Sequence, residues 1–430
     1  MITIRQTSAA IERELLSSPL GFKGAYLTEV WQTIVRLEGA SGASGTGLGV
    51  QSILWSDPGV FAKFSELHGN TIMHQLTRHA VQLIKEAPFG SPLELMEKLF
   101  PAAFEYGKKL LDDGLKPAFV LNALAPVDHA AWLLYAAERK LSSFDELLPE
   151  VVRQQLNSRH HALASVPLIS YGMTETAIQE LVEEGHFVLK VKLGYDPNQD
   201  GDPDKMLDWD KRRLSVVHRL ARERECAYTH NGRIAYVLDA NGRYDGRERL
   251  MRLFEHAERI GALDRILLFE EPFAPDCFEA VGDMPVRMAA DESVHNERDA
   301  LERLELGYSA IALQPAAKTM SVCLNIAKAT LERGASCYCS DLTANPFMIE
   351  WSKNLASRLA PLPGMSVGIL ESNGAQNYVQ WEKMRGYHPR FGASWTESAN
   401  GLFRLDETFY AVSGGIFDRS EHYERAAAGR

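Results

Sequence analysis

Four short segments place charged side chains where they could act together: Lys190 and Lys192 in FVLKVKL, Asp239 in VLDAN, Glu270 and Glu271 in LFEEP, and Asp291 with Glu292 in AADES. Each is an apolar run that turns polar at its C-terminal end. Side chains alternate along a strand, so Lys190 and Lys192 share one face and present two ammonium groups side by side. Carboxylates gathered from neighbouring strands repel one another and stay ionised together only around a cation. Oxygen donors of this kind suit a hard divalent ion that keeps water or substrate in its remaining positions, and Mg²⁺ fits best. The chemistry such a set could perform is removal of the proton beside a carboxylate. The ion would acidify the adjacent carbon, and a lysine whose pKa is lowered by its neighbouring ammonium and by the ion could take the proton. One charged strand end is an ordinary solvated loop start. Four in succession, KxK, DxN, EEP and DES, form a constellation.

Such a set needs a scaffold that delivers strand ends to one rim. From Val166 to Glu371 the chain alternates short apolar runs with amphipathic helical stretches, in the order PLISYGM, FVLKVKL, IAYVLDAN, RILLFEEP, VRMAADES, AIALQP, ASCYCSD and MSVGILES. This alternation predicts parallel strands with helical crossovers, and eight strands close a barrel whose reacting groups project from the C-terminal strand ends. In residues 1–165, TEVWQTIVRLEG and GTGLGVQSILW read as a hairpin about the Gly-rich GASGASGTG. That link lacks the GK[ST] ending and strand-to-helix context of a phosphate loop, so it is expected to be a turn. SPLELMEKLFPAAFEYGKKLLDDG has helical spacing of apolar residues and an end marked by Gly114. Residues 372–430 show no clear repeat of the pattern and are expected to pack back on the first region.

Composition narrows the partners. Lys+Arg 46 against Asp+Glu 57 gives a net charge of -11 over 430 residues, with no basic arm or stripe, which argues against nucleic acid. Cys226, Cys277, Cys323, Cys337 and Cys339 are odd in number and contain no CxxC, so neither a disulfide framework nor a thiolate zinc site is expected. No signal-peptide core and no run of about 18 apolar residues occurs. A cytoplasmic protein with no membrane partner is expected.

KVK at 190–192, LDAN at 238–241, FEEP at 269–272 and ADES at 290–293 follow the order and approximate spacing of the enolase superfamily. The chain resembles its muconate-lactonizing and mandelate-racemase-like branch, which holds dipeptide epimerases and o-succinylbenzoate synthases. The resemblance implies an α/β fold: a modified (β/α)₇β TIM barrel at residues 166–371, with an α+β capping domain built from residues 1–165 and completed by the C-terminal segment 372–430. It implies Asp239, Glu270 and Asp291 as Mg²⁺ ligands, with Glu271 as the alternative to Glu270. Lys192 would be the base, and Lys190 the helper that keeps it neutral and steadies an enolate. SPLGFKGAYLTEVW is similar to the capping-domain flap that shapes specificity. The implied activity is isomerase or epimerase chemistry on a small-molecule carboxylate, of the dipeptide or N-acylamino-acid type, in a homo-oligomer. A lyase, either an acid-sugar dehydratase or a cycloisomerase, is the alternative. A degenerate barrel that binds a metal and a carboxylate without catalysis is the other.

The sequence departs from that pattern at the sixth strand, where a second acid/base lysine is expected and AIALQPAAKT offers Gln314. Lys318 lies four residues on and reaches inward only if PAA folds back over the mouth. Without it, proton transfer is confined to one face. Alternatively Gln314 binds the substrate carboxylate and Lys318 is the acid. Asn241, Gln314, Asp341 and Glu371 are the candidate substrate-binding residues. Asp341 competes with a helix-capping role. Asp196, Asn198, Asp200 and Gly201 match the start of a calcium loop, but Leu207 stands where its final acid belongs, so a solvated acidic loop is expected. His160 and His161 are expected to be exposed rather than ligands.

Overall fold

A computed structural model describes residues 1–22 and 25–429, and within them two sheets form. The first contains β1 (Ile2–Phe22), β2 (Ala25–Gly39), β3 (Ser44–Gln51) and β4 (Pro88–Phe89), in the order β3-β2-β1-β4. β2 and β3 are the expected hairpin, with Glu38 opposite Ser44 and Gly42 at φ 86° in the turn. The glycines that suggested a flexible link serve packing as well. A Cβ on Gly47 would lie 2.2 Å from both Ala130 N and Pro126 O, so β3 lies flush on the helix Pro117–Arg139. The helix Pro92–Leu110 starts at Ser91, which caps it by accepting from Glu94 N–H.

The second sheet is the barrel. Its strands are β5 (Ala162–Val166), β6 (Leu168–Ile169), β7 (Val188–Lys192), β8 (Ala235–Asp239), β9 (Ile266–Glu270), β10 (Met288–Ala290), β11 (Ala310–Leu313), β12 (Ser336–Cys339) and β13 (Gly368–Glu371). β6 through β13 pair in chain order and in parallel. The opening strand begins at Ala162, ahead of the PLISYGM segment read from sequence, and is interrupted at Pro167. β5 pairs with β13 while β6 pairs with β7, so β5 and β6 together act as one strand that closes the ring. Pro167 has no N–H to give a ladder, but its carbonyl accepts from Lys190 N at 3.1 Å. The strands are buried on both faces, which is why they read as near-continuous apolar runs.

The chain after Glu371 adds β14 (Leu402–Arg404), antiparallel to β5, and ends in the helix Glu421–Ala427. That helix rests on the first sheet, where His422 meets Glu12 at 2.8 Å and Glu424 meets Arg36 at 3.3 Å. The helix Pro117–Arg139 holds the cap to the barrel. Asp128 accepts from Ser321 N–H at 2.9 Å, and Trp132 Nε1 donates to Ser321 Oγ at 3.1 Å. Burial pushes the Asp128 carboxyl up to about 6 against these hydrogen bonds.

Candidate active site

Barrel register brings the predicted groups together. Lys192, Asp239 and Glu270 are lateral neighbours on β7, β8 and β9, so their side chains leave the sheet in one row. Lys190 lies two residues back on the same face. Its Nζ contacts Glu270 Oε1 at 2.8 Å, Glu371 Oε2 at 2.9 Å and Asp239 Oδ2 at 3.1 Å. Burial alone would depress this lysine, but Asp239, Glu270, Glu371 and Asp291 outweigh it and hold the ammonium charged well above the usual lysine range. Lys192 Nζ donates to Asp239 Oδ2 at 2.6 Å and to Asn241 Oδ1 at 2.7 Å. The two lysines overcome burial and keep Asp239 well below the usual carboxylate range.

Glu270 is buried beside Asp239 and its pKa rises well above normal, first through burial and then through Asp239. Its second oxygen accepts from Tyr338 OH at 2.7 Å. Glu271 turns away at φ 40° and accepts from Asp291 N–H at 2.7 Å and Ser293 Oγ at 3.0 Å. Burial and Glu292 push it up to about 8. The double acid thus divides its work, Glu270 in the row with Asp239 and Glu271 bracing the loop after β10.

At the end of β11, Gln314 Nε2 donates to Asp291 Oδ2 at 2.9 Å, while Gln314 Oε1 is buried with no hydrogen-bond partner. PAA does fold back, as the short helical turn Pro315–Lys318 with Thr319 at φ 69°. Lys318 is fully buried and donates to Asp291 O at 2.7 Å and Asp291 Oδ1 at 2.8 Å. Asp291 and Gln314 line the cavity at the mouth; Lys318 stands behind them.

Asp341 accepts from Leu342, Ala344 and Asn373 N–H groups, which makes it a loop brace that also lines the cavity. Burial and the charge of Glu371 push it up to about 7. The cavity is about 60 Å³ and is roofed from the cap by Leu20, Gly21, Leu27, Val30, Ser52 and Trp55. Part of the predicted flap therefore covers the site; Lys23 and Gly24 of that segment lie outside the described residues. Sequence reading missed Tyr338, Ser52 and Trp55. Tyr338 carried a faint signal, a phenol amid the small residues of ASCYCSD.

The remaining candidates lie apart from this cluster. Asp196 accepts from Asn198 and Gly201 N–H groups, and Asp200 pairs with Lys205. His160 is half-buried rather than exposed, with a ring nitrogen 2.8 Å from Leu359 O.

Among the described residues, no three His, Cys, Asp or Glu side chains stand gathered as a ready metal nest. The lysine ammonium groups stand between the carboxylates. The donor chemistry nevertheless fits a hard cation. Seven buried carboxyl groups, Asp239, Glu270, Glu271, Asp291, Glu292, Asp341 and Glu371, gather near three buried lysines, Lys190, Lys192 and Lys318, and Gln314 Oε1 adds a further buried acceptor.

No family model matches the chain, and no curated protein does. Solved structures match over nearly its whole length. A mandelate racemase/muconate lactonizing protein from Herpetosiphon aurantiacus has 17% identity and a TM-score of 0.66, covering 94% of this chain and 96% of its own. The dipeptide epimerase from Enterococcus faecalis V583, complexed with Mg and the dipeptide L-Leu-L-Tyr, has 17% identity and a TM-score of 0.65, covering 96% and 99%. N-succinyl Arg/Lys racemase from Bacillus cereus has 14% identity and a TM-score of 0.63, covering 94% and 93%. The fold is therefore that of the mandelate racemase/muconate lactonizing enzymes, a capped barrel.

Proposed function

We propose that the protein is an enzyme that removes the proton next to the carboxylate of a small-molecule substrate and passes through an enolate, as an isomerase or epimerase of the dipeptide or N-acylamino-acid type. The observation that carries this reading is the row Lys192, Asp239 and Glu270 on adjacent strands, with Lys190 beneath it, from which Lys190, Lys192 and Asp239 line a small capped cavity. The fold shared with the E. faecalis dipeptide epimerase and the B. cereus racemase supports the same reaction type.

Asp239, Glu270 and Asp291 would hold Mg²⁺, the ion present with that epimerase. When bound, the ion supplies charge stabilisation to the carboxylate as electrons flow into it. Lys190 engages Asp239 and Glu270, so it has to release them as the site loads, which frees its ammonium to meet the oxygen on which negative charge builds. Lys192 takes the proton. Its contacts to Asp239 and Asn241 aim Nζ into the cavity, and it can act once its own proton has left. Leu20, Leu27 and Trp55 shield the proton transfer from water.

A specific observation favours a second reading, a one-faced lyase. β7 and β11 are four strands apart in a ring of eight, so Lys190 and Lys192 face Gln314, whose amide does not exchange protons as an acid or base. The experiment is α-proton exchange in D₂O with Mg²⁺ over pooled dipeptides, N-acylamino acids and acid sugars, with Lys192→Ala as control. Exchange abolished by Lys192→Ala supports the proposal. Exchange that survives it removes Lys192 as the base, and no exchange with metal bound favours a binding protein.

A further inference from the structure

Lys318 matches no role that contact with substrate would give it. It is fully buried, and its Nζ is ringed by oxygens of the protein itself: Asp291 O at 2.7 Å, Asp291 Oδ1 at 2.8 Å and Ala312 O at 3.5 Å. Three acceptors match the three N–H groups of an ammonium and leave none to donate elsewhere. The turn that carries it is anchored. Ala317 N and Lys318 N both donate to Gln314 O, and Asn122 Nδ2 of the cap reaches Ala316 O at 3.5 Å. Gln314 Nε2 occupies the other oxygen of the same carboxylate at 2.9 Å. Both Asp291 oxygens thus meet donors from one five-residue stretch, and one of those donors carries a full charge.

We propose that Lys318 is a built-in counter-cation for Asp291, a positioning residue that holds the third carboxylate of the site in place and weakens the grip of the site on a divalent ion. This rests on the assignment of Asp239, Glu270 and Asp291 as the metal seat. A fixed positive charge in contact with one carboxylate repels an incoming cation and shares the electron density that cation would use. The site then binds its ion with one carboxylate already partly neutralised, and the ion exchanges more readily.

The test is Mn²⁺ affinity, read by electron paramagnetic resonance and calorimetry on the full chain, for wild type, Lys318→Gln, Lys318→Met and Lys318→Arg, each first shown to be folded by circular dichroism. Lys318→Gln keeps a donor for Asp291 and removes the charge, so it serves if Lys318→Met does not fold. The expected result is binding at least about tenfold tighter in the Gln or Met variant, roughly 1.4 kcal/mol, with Arg within about threefold of wild type. Unchanged or weaker binding in the folded neutral variants overturns the proposal. If wild type binds no Mn²⁺ the metal assignment loses its support, and the counter-cation proposal then stands only if a neutral variant gains binding; failure to gain it overturns both.

Discussion

Gln314 donates from Nε2 to Asp291 Oδ2 at 2.9 Å, and this bond decides which way its amide faces: the carbonyl oxygen is left as the acceptor, buried at the cavity wall. An amide so held neither gives nor takes a proton on the face opposite Lys190 and Lys192. In D₂O, deuterium is expected to enter the substrate faster than configuration inverts, with exchange followed by NMR and inversion by chiral chromatography. Inversion keeping pace with exchange would show that another group, Asp341 or a rotated Lys318, supplies the second proton.

Lys192→Ala is expected to lower the exchange rate by about 10²–10⁴, the range of a general base, with the fold intact by circular dichroism. Lys190→Ala is expected to lower it too, and also to raise the affinity for a divalent ion, because Asp239 and Glu270 lose a competing ammonium. Equal metal affinity in wild type and Lys190→Ala would refute that competition.

Removal of divalent ions with EDTA is expected to abolish exchange, and Mg²⁺ to restore it. Saturating Mg²⁺ is expected to raise the melting temperature, since at 100 times Kd a ligand adds about 2.7 kcal/mol to stability. Asp239→Asn and Glu270→Gln should lose this response, as read by thermal scans with and without metal.

A buried pair far from the chemistry sets a stability test. Lys353 Nζ bonds Glu350 Oε1 and Trp395 O, both at 2.7 Å, and links the helix Ile349–Ala356 to the C-terminal segment. Lys353→Met leaves Glu350 in the interior without its ammonium partner, facing the His388 ring nitrogen at 3.5 Å, and is expected to cost about 3–5 kcal/mol in urea unfolding. The double variant Lys353→Met, Glu350→Leu is expected to recover most of that loss. A double variant as unstable as the single would show that packing, not charge, is at stake.

His129 is stacked on Trp351 with a ring nitrogen 2.8 Å from Leu48 O, and burial pushes its pKa down to about 4. The unfolded chain then binds the proton more readily than the folded one. The contribution of His129 is present above about pH 6.5 and is lost as pH falls toward 4, amounting to about 3 kcal/mol. Unfolding followed from pH 7 to pH 4 is expected to show a shallower loss for His129→Gln than for wild type. Parallel slopes would remove His129 as a source of acid sensitivity.

The barrel was legible because its strands are buried on both faces and end in charge, so KVK, LDAN, LFEEP and ADES advertise both element and rim. Pro167 hid the first strand. It splits the run into two short pieces, and the apolar stretch that looked like an opening strand, PLISYGM, holds only the second. The hairpin was legible from its β-branched residues, whereas the packing use of Gly45, Gly47 and Gly49 was not, since a helix lying on backbone leaves no pattern of its own. Within the site, strand periodicity distinguishes Glu270 from Glu271 only once the strand end is known, and the reach of Lys318 depends on a helical turn and a positive φ at Thr319 that spacing alone does not specify. Trp55 and Ser52 come from a separate region of chain, beyond any local signal.

The break at Pro167 makes the ring a hoop with a seam. Val166, on one side, faces Glu371 of β13; Leu168, on the other, faces Lys190 of β7. The Lys190–Glu371 ion pair at 2.9 Å spans that seam like a stitch, above the backbone bonds Lys190 N to Pro167 O and Ser372 N to Val166 O. Whatever draws Lys190 toward the centre of the mouth undoes the stitch, so filling the pocket and loosening this seam of the hoop are one event.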